Sequence, residues 1–155
     1  MNVHVPIPSD VQAMLRDMAA GWVRERAPIA ALRQLRREHL ELGFDPALYR
    51  DMAAMGWAGI VVPEADGGFG FGHASMGMLA EELGRNLVAS PLISAAMVAD
   101  ALVLGGNAAQ KQEWLPRLVA GEAHAALALE EGTRHDPAAT ALTARRDGEG
   151  WLLEG

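Results

Sequence analysis

The sequence predicts a mainly α fold, an orthogonal multi-helix domain over residues 1–121 followed by the first strands of a β domain over 122–155. Three observations predict it. Apolar residues recur at helical spacing from Ser9 to Ala120, punctuated by cap signals. From Glu122 that spacing gives way to a compact apolar run and hairpin chemistry. Half of the 155 residues are apolar, enough for a real core.

Taken in order, Ser9 is an N-cap, and Val11, Met14, Leu15, Met18, Trp22 and Val23 make one amphipathic helix that Pro28 interrupts. Ile29, Leu32, Leu35 and Leu42 give a second, poorer stripe ending at Gly43, with Arg33, Arg36, Arg37 and Glu38 as a solvated face. Asp45 and Pro46 form an N-cap and N1 pair for a third helix, whose stripe is Leu48, Met52 and Met55 and whose C′ glycine is Gly56. Met76, Leu79, Leu83 and Leu87 then mark a fourth, with Glu81 and Glu82 turned outward or towards a partner. Ser90-Pro91 repeats the cap signature before Leu92 to Leu104, an apolar, alanine-rich run expected to be the central helix, buried nearly all round. Gly105-Gly106 closes it, Asn107 caps the next helix, and Pro116 is expected to restart a short turn ending at Gly121. Strands are expected from Ala125 to Leu129 and on either side of the turn Asp147-Gly148-Glu149-Gly150.

Between the third and fourth helices lies Ile60 to Gly72, an apolar run stopped by Pro63 and followed by glycines that alternate with Phe69 and Phe71. Only a sharp turn uses so many residues for which a positive φ is cheap. The loop is either a connection carrying aromatic plugs or a surface shaped for a ligand.

Charge and composition exclude several classes. A net charge of −7 with scattered acids does not make a nucleic-acid surface, and the basic run from Arg33 to Arg37 holds only three arginines. No cysteine is present, so neither a disulfide framework nor a thiolate site is available. The first residues lack a basic flank leading into an apolar core, and no run approaches the roughly 20 apolar residues of a membrane span. The expected location is the cytoplasm. His4, His39, His73, His124 and His135 show no ligand spacing, so no metal site is expected. Glu64 with Asp66 is a paired-carboxylate candidate only as many loops are, and Ser75 lacks a nucleophile elbow. The glycines after Pro63 do not match a dinucleotide fingerprint. Read this way, the residues describe a helical domain joined to the start of a β domain and name no reaction.

The order of motifs nevertheless resembles the acyl-CoA dehydrogenase family, flavoproteins built from an N-terminal helical domain, a middle β domain and a C-terminal four-helix bundle. The resemblance rests on Gly56-Trp57, on Val62-Pro63-Glu64 with Gly67-Gly68 and Gly70, and on Glu81-Glu82-Leu83-Gly84. It continues through Gln110-Lys111, Trp114-Leu115-Pro116, Leu118 and Gly121-Glu122 to Thr143-Ala144 and Asp147-Gly148 with Gly150-Trp151. It implies a truncated acyl-CoA dehydrogenase-like fold, in which 1–121 is the helical domain, 122–155 opens the middle β-barrel, and the glycine loop serves packing more than chemistry.

For function, the resemblance implies FAD as cofactor, an acyl-CoA substrate, an electron-transfer flavoprotein-like acceptor, and a homo- or hetero-oligomer, with no nucleic acid and no membrane span. The flavin-contacting register falls on Leu129, Glu130 and Glu131, where Glu130 stands in place of a threonine and no equivalent serine is recognisable. A carboxylate beside a reduced flavin opposes the developing negative charge, so the backbone N–H groups are the donors left to serve it. The acyl pocket is implied at Ser90, Ile93 and Met97, which recur at i, i+3 and i+7. The carboxylate base of the family belongs to the C-terminal bundle, so no catalytic residue is assigned here. The isolated chain is expected to be inactive and to hold flavin weakly or not at all. The alternative is a partly degenerate, non-catalytic subunit or fragment of a heteromeric acyl-CoA dehydrogenase.

Overall fold

A computed structural model describes residues 10–38 and 41–155. The expectations placed on Ser9, His4 and His39 lie outside the described residues. Among those described are six α-helices and one hairpin: α1 (Asp10–Arg26), α2 (Ile29–Glu38), α3 (Pro46–Ala54), α4 (Gly72–Arg85), α5 (Leu92–Gly105), α6 (Ala108–Val119), β1 (Thr143–Asp147) and β2 (Gly150–Glu154).

Helix boundaries fall where local chemistry puts them. The Asp45 carboxylate accepts from the Ala47 N–H, Pro46 occupies the first turn, and Gly56 takes the left-handed conformation that ends α3. Asn107 and Gln110 form a reciprocal capping box at the start of α6, with both bonds at 2.9 Å. Ahead of α5, Pro91 takes the cap position one residue later than expected, and Ser90 Oγ still accepts from the Leu92 N–H. Antiparallel β1 and β2 pair Asp147 with Gly150 across the two-residue turn, where Gly148 has positive φ.

The core is one cluster. Trp57, Tyr49, Met52, Ile60, Val62, Leu79, Leu92, Leu115 and Leu118 are its largest fully buried members, drawn from α3 to α6 and from the loop after α3. Helix α1 packs along α4 and contributes Leu15, Ala19 and Val23. Trp22 meets Trp57 edge-on at 5.0 Å between ring centroids.

The glycine loop is a fold element, as the first of its two readings has it. Phe69 donates to the Gly59 carbonyl, Gly70 to Val62 and Phe71 to Ile60, so residues 69–71 double back along 59–62. At Gly68 an added Cβ would stand 2.2 Å from the Val62 carbonyl oxygen, which explains a glycine there without any ligand. The Phe69 ring lies over Gly56 and Gly59, where added Cβ atoms would meet it at 2.9 and 3.3 Å.

Several expectations are corrected. Helix α5 buries only Leu92, Ala95, Ala96 and Ala99, because the small alanine face is the one that reaches the core; Ile93, Met97 and Leu104 face outward, and Val98 and Leu102 are partly buried. Val11, Met14 and Met18 of the α1 stripe are likewise exposed. Leu42 and Leu87 lie beyond the ends of α2 and α4 and are exposed, and α2 has no buried residue. Pro116 does not break α6, since Leu115 and Leu118 anchor the last turn on both sides of it and the unpaired carbonyl it leaves lies on an exposed stretch. Ala125 to Leu129 is not a strand. No second strand lies beside it among the described residues, and a ladder needs one.

Candidate functional site

Glu82 does not turn outward. It is 6% exposed and accepts from Arg16 Nε of α1 at 3.1 Å, while Arg85 Nε approaches its other oxygen at 3.2 Å. Arg16 also donates to Glu81 at 2.8 Å. The hydrogen bond from Arg16, helped by the charge of Arg85, holds the Glu82 carboxyl below the ordinary glutamate range despite burial, and the same pairing raises Arg16. This network joins α1 to α4 and leaves no free acid or base. Tyr49 is fully buried, its hydroxyl has no partner among the described residues, and burial raises its phenol.

The sequence-assigned cofactor residues lie on the stretch after α6. Leu129, Glu130 and Glu131 are exposed, and both carboxylates are already engaged. Glu130 pairs with the His135 imidazole. Glu131 accepts from the Ala141 N–H at 2.6 Å and the Leu142 N–H at 2.8 Å, closing the segment 131–142 into a loop ahead of β1. Ionised carboxylates only accept hydrogen bonds, so neither side chain can donate to a flavin carbonyl or ring nitrogen. The backbone N–H groups of 129–131 have no strand partner and fit such a role. A flavin therefore suits this stretch through its main chain alone. Sequence reading did not foresee the Glu131 clamp, because its two donors lie ten and eleven residues away.

Ser90 precedes α5 and is partly buried, whereas Ile93 and Met97 are 50% and 48% exposed on its outer face. The three are not gathered around an enclosed cavity. A cleft of about 170 Å³ lies elsewhere, between the end of α1, α2, the start of α3 and residues 86–89. What the structure adds to the α5 face is a hydrogen bond: His73, in the first turn of α4, meets Asp100 with Nε2 to Oδ2 at 2.6 Å. Asp100 is the sole charged residue of α5, a signal present in the sequence and not used. Glu64 and Asp66 sit on the glycine loop without a neighbouring base, and no three His, Asp or Glu side chains converge as a metal site among the described residues.

Comparison with known proteins gives the frame for this geometry. The sequence model described as "Acyl-CoA dehydrogenase, N-terminal domain" matches residues 9–122. The chain is 34% identical to (2S)-methylsuccinyl-CoA dehydrogenase of Cereibacter sphaeroides, over 92% of this chain and 26% of that one. It is also 34% identical to the mitochondrial short-chain specific acyl-CoA dehydrogenase of Mus musculus, over 97% of this chain and 36% of that one. Among solved structures, a G363A variant of the Tcur3481-Tcur3483 steroid ACAD superposes with a TM-score of 0.83 at 35% identity, over 94% of this chain and 40% of that one. The ChsE4-ChsE5 complex of Mycobacterium tuberculosis gives 0.82 at 26% identity, over 96% and 40%. An acyl-CoA dehydrogenase of Bacillus anthracis complexed with FAD gives 0.75 at 28%, over 95% and 26%. The chain thus spans about a quarter to two-fifths of the length of the proteins it matches.

Proposed function

The chain belongs to the acyl-CoA dehydrogenase family, and we propose that it is the N-terminal part of a flavoprotein that introduces a double bond between Cα and Cβ of an acyl-CoA thioester. Residues 1–121 are taken as the helical domain and 122–155 as the opening of the middle β domain. When bound, FAD supplies the acceptor for the hydride leaving Cβ, while a carboxylate beyond residue 155 takes the α proton. The chain's own part is positioning. Its α5 face, with Ser90, Ile93 and Met97, walls the acyl chain, and the backbone amides of Leu129, Glu130 and Glu131 donate to flavin and thioester. The Glu131 clamp holds those amides in place, and His135 holds the Glu130 carboxylate. The acceptor that fits this reading is an electron-transfer flavoprotein-like protein in the cytoplasm, and the parent protein works as an oligomer.

The observation that carries this reading is the outer face of α5, where half-exposed Ile93 and Met97 stand on a helix whose other face is core. The test is Met97→Trp in the full-length protein assembled with its partner chains. The longest acyl-CoA accepted should shorten while Tm stays within a few degrees, because the ring takes space proposed for the acyl chain and, on an exposed face, displaces no packed neighbour. Lost stability with unchanged chain-length preference would refute the pocket assignment.

A second reading, a partly degenerate subunit of a heteromeric enzyme, is favoured by Glu130 at the flavin register and by likeness to the Tcur3481-Tcur3483 steroid ACAD and the ChsE4-ChsE5 complex. Flavin content separates the two. One FAD per chain supports the first reading, and one FAD per pair of unlike chains supports the second.

A further inference from the structure

Asp100 does not sit at random on α5. Counted at about 100° per residue, Ile93, Met97, Asp100 and Leu104 fall within an arc of about 60°, so one carboxylate stands at the edge of an outward apolar stripe, between Met97 and Leu104 along the helix. It is held there from outside the helix. His73 Nε2–H donates to Asp100 Oδ2 at 2.6 Å, fixing the carboxylate from the first turn of the neighbouring helix. The Asp100 side chain is 27% exposed, half as open as the Ile93 and Met97 beside it, while His73 is 78% exposed.

The bond leaves two acceptors open along the stripe. With Nε2 bonded to Asp100 Oδ2, Asp100 keeps Oδ1 as an acceptor, and His73 Nδ1 accepts as well whenever the ring is neutral. Among the described residues neither atom has a partner. Along the helix the pair lies one turn beyond Met97 and seven residues, about 10 Å, beyond Ile93. An unsubstituted alkyl chain reaching that far would lay methylene groups against a carboxylate and strip it of water without return. A group that donates a hydrogen bond reverses the balance, whereas a second carboxylate would be repelled by Asp100.

We propose that His73 and Asp100 are specificity-determining residues that select acyl-CoA thioesters carrying a hydroxyl group towards the far end of the acyl chain. The inference rests on the proposal that the α5 stripe faces the acyl group and goes beyond it by naming the substrate class. The hydroxyl donates to Asp100 Oδ1 or to His73 Nδ1, and the alkyl segment before it lies on Ile93 and Met97. Neither residue takes part in the chemistry.

The test uses the full-length protein with its partner chains and matched pairs of straight-chain acyl-CoA thioesters of increasing length, one ending in a methyl and one in a hydroxyl. The quantity read is the ratio of kcat/KM within each pair, which loss of stability alone does not move because it acts on both members. The ratio should favour the hydroxyl by about tenfold or more at the length that reaches Asp100, since a site built around polar acceptors penalises a ligand that leaves them unpaired. Asp100→Leu should abolish that preference, His73→Leu should weaken it by releasing the carboxylate from its fixed orientation, and Asp100→Asn, which keeps an acceptor oxygen, should retain it. A wild-type ratio at or below one at every length, or a ratio unmoved by Asp100→Leu, overturns the inference. Met97→Trp separates the two levels. If it leaves chain-length preference unchanged, the pocket reading falls and takes the His73–Asp100 assignment with it; if it shortens the preference while Asp100→Leu leaves the ratio unmoved, only the His73–Asp100 assignment falls.

Discussion

Gly68→Ala is expected to open the glycine loop, and the cost follows from the contacts it would make. The new Cβ would lie 2.2 Å from the Val62 carbonyl oxygen, 2.4 Å from its Cβ and 2.6 Å from its carbonyl carbon, so the backbone of 67–69 must retreat by about 1 Å to reach ordinary contact. Val62 cannot give way, because it is fully buried. That retreat pulls on three backbone bonds, Phe69 to Gly59 at 3.0 Å, Gly70 to Val62 at 2.9 Å and Phe71 to Ile60 at 2.9 Å, and lifts the Phe69 ring off Gly56 and Gly59. Losing two such bonds at about 1 kcal/mol each, plus part of one ring's packing, comes to about 3–4 kcal/mol. Gly67→Ala is the control. Its φ is +87° but nothing lies within 4 Å of the added Cβ, so it pays only the left-handed strain of about 1–2 kcal/mol. Amide hydrogen exchange at Phe69, Gly70 and Phe71 in the parent protein measures the local opening directly. Protection should fall by two or more orders of magnitude for Gly68→Ala and by clearly less for Gly67→Ala. Equal effects of the two variants would refute the close-packing account of this loop.

Three further outcomes are expected. Glu82→Gln should cost about 1–2 kcal/mol near neutral pH, the upper part of the range for charged hydrogen bonds being lost because Arg16 and Arg85 are solvent-screened. The folded carboxyl titrates below its ordinary value of 4.5, so its contribution is fully present above that value and disappears as pH falls through the depressed one; thermal melts of wild type and variant should converge there, and a gap that stays constant to lower pH would count against the ion network. Tyr49→Phe removes a buried hydroxyl with no partner among the described residues and should leave stability unchanged or raise it by up to about 1 kcal/mol; a drop of more than that in urea unfolding would show that the hydroxyl is bonded in solution. The 155-residue chain by itself should show no acyl-CoA turnover and no stoichiometric FAD after gel filtration, since the proposed function places the carboxylate base and most of the β domain outside these residues, which span only 26–40% of the length of their relatives; retained flavin would overturn this.

Much of the architecture was legible in the sequence because it is written in short stretches of chain. Asp45-Pro46, Gly56, the Asn107 capping box and the Asp147-Gly148-Glu149-Gly150 turn each specify their own backbone, and each bond is made within a few residues, so these elements form where expected. The alternation of ring and bare backbone in the glycine loop left two readings open, and the contacts of Gly68 and Phe69 select the packing one. What the sequence left open depended on partners far along the chain. Helix α5 is apolar on every side, so its pattern carries no phase, and only packing against α6 and the turn after Gly56 selects the alanine face for the core and turns Ile93, Met97 and Leu104 outward. Ala125 to Leu129 reads as a strand by composition, but a strand exists only with a neighbour to bond, and none lies beside it here. The pairs that define the candidate site, Glu82 with Arg16, Glu131 with the amides of Ala141 and Leu142, and His73 with Asp100, join residues 66, ten, eleven and 27 positions apart. Local propensity carries no information about such meetings, because it is the docking of one helix or loop on another that brings their charges within hydrogen-bond reach.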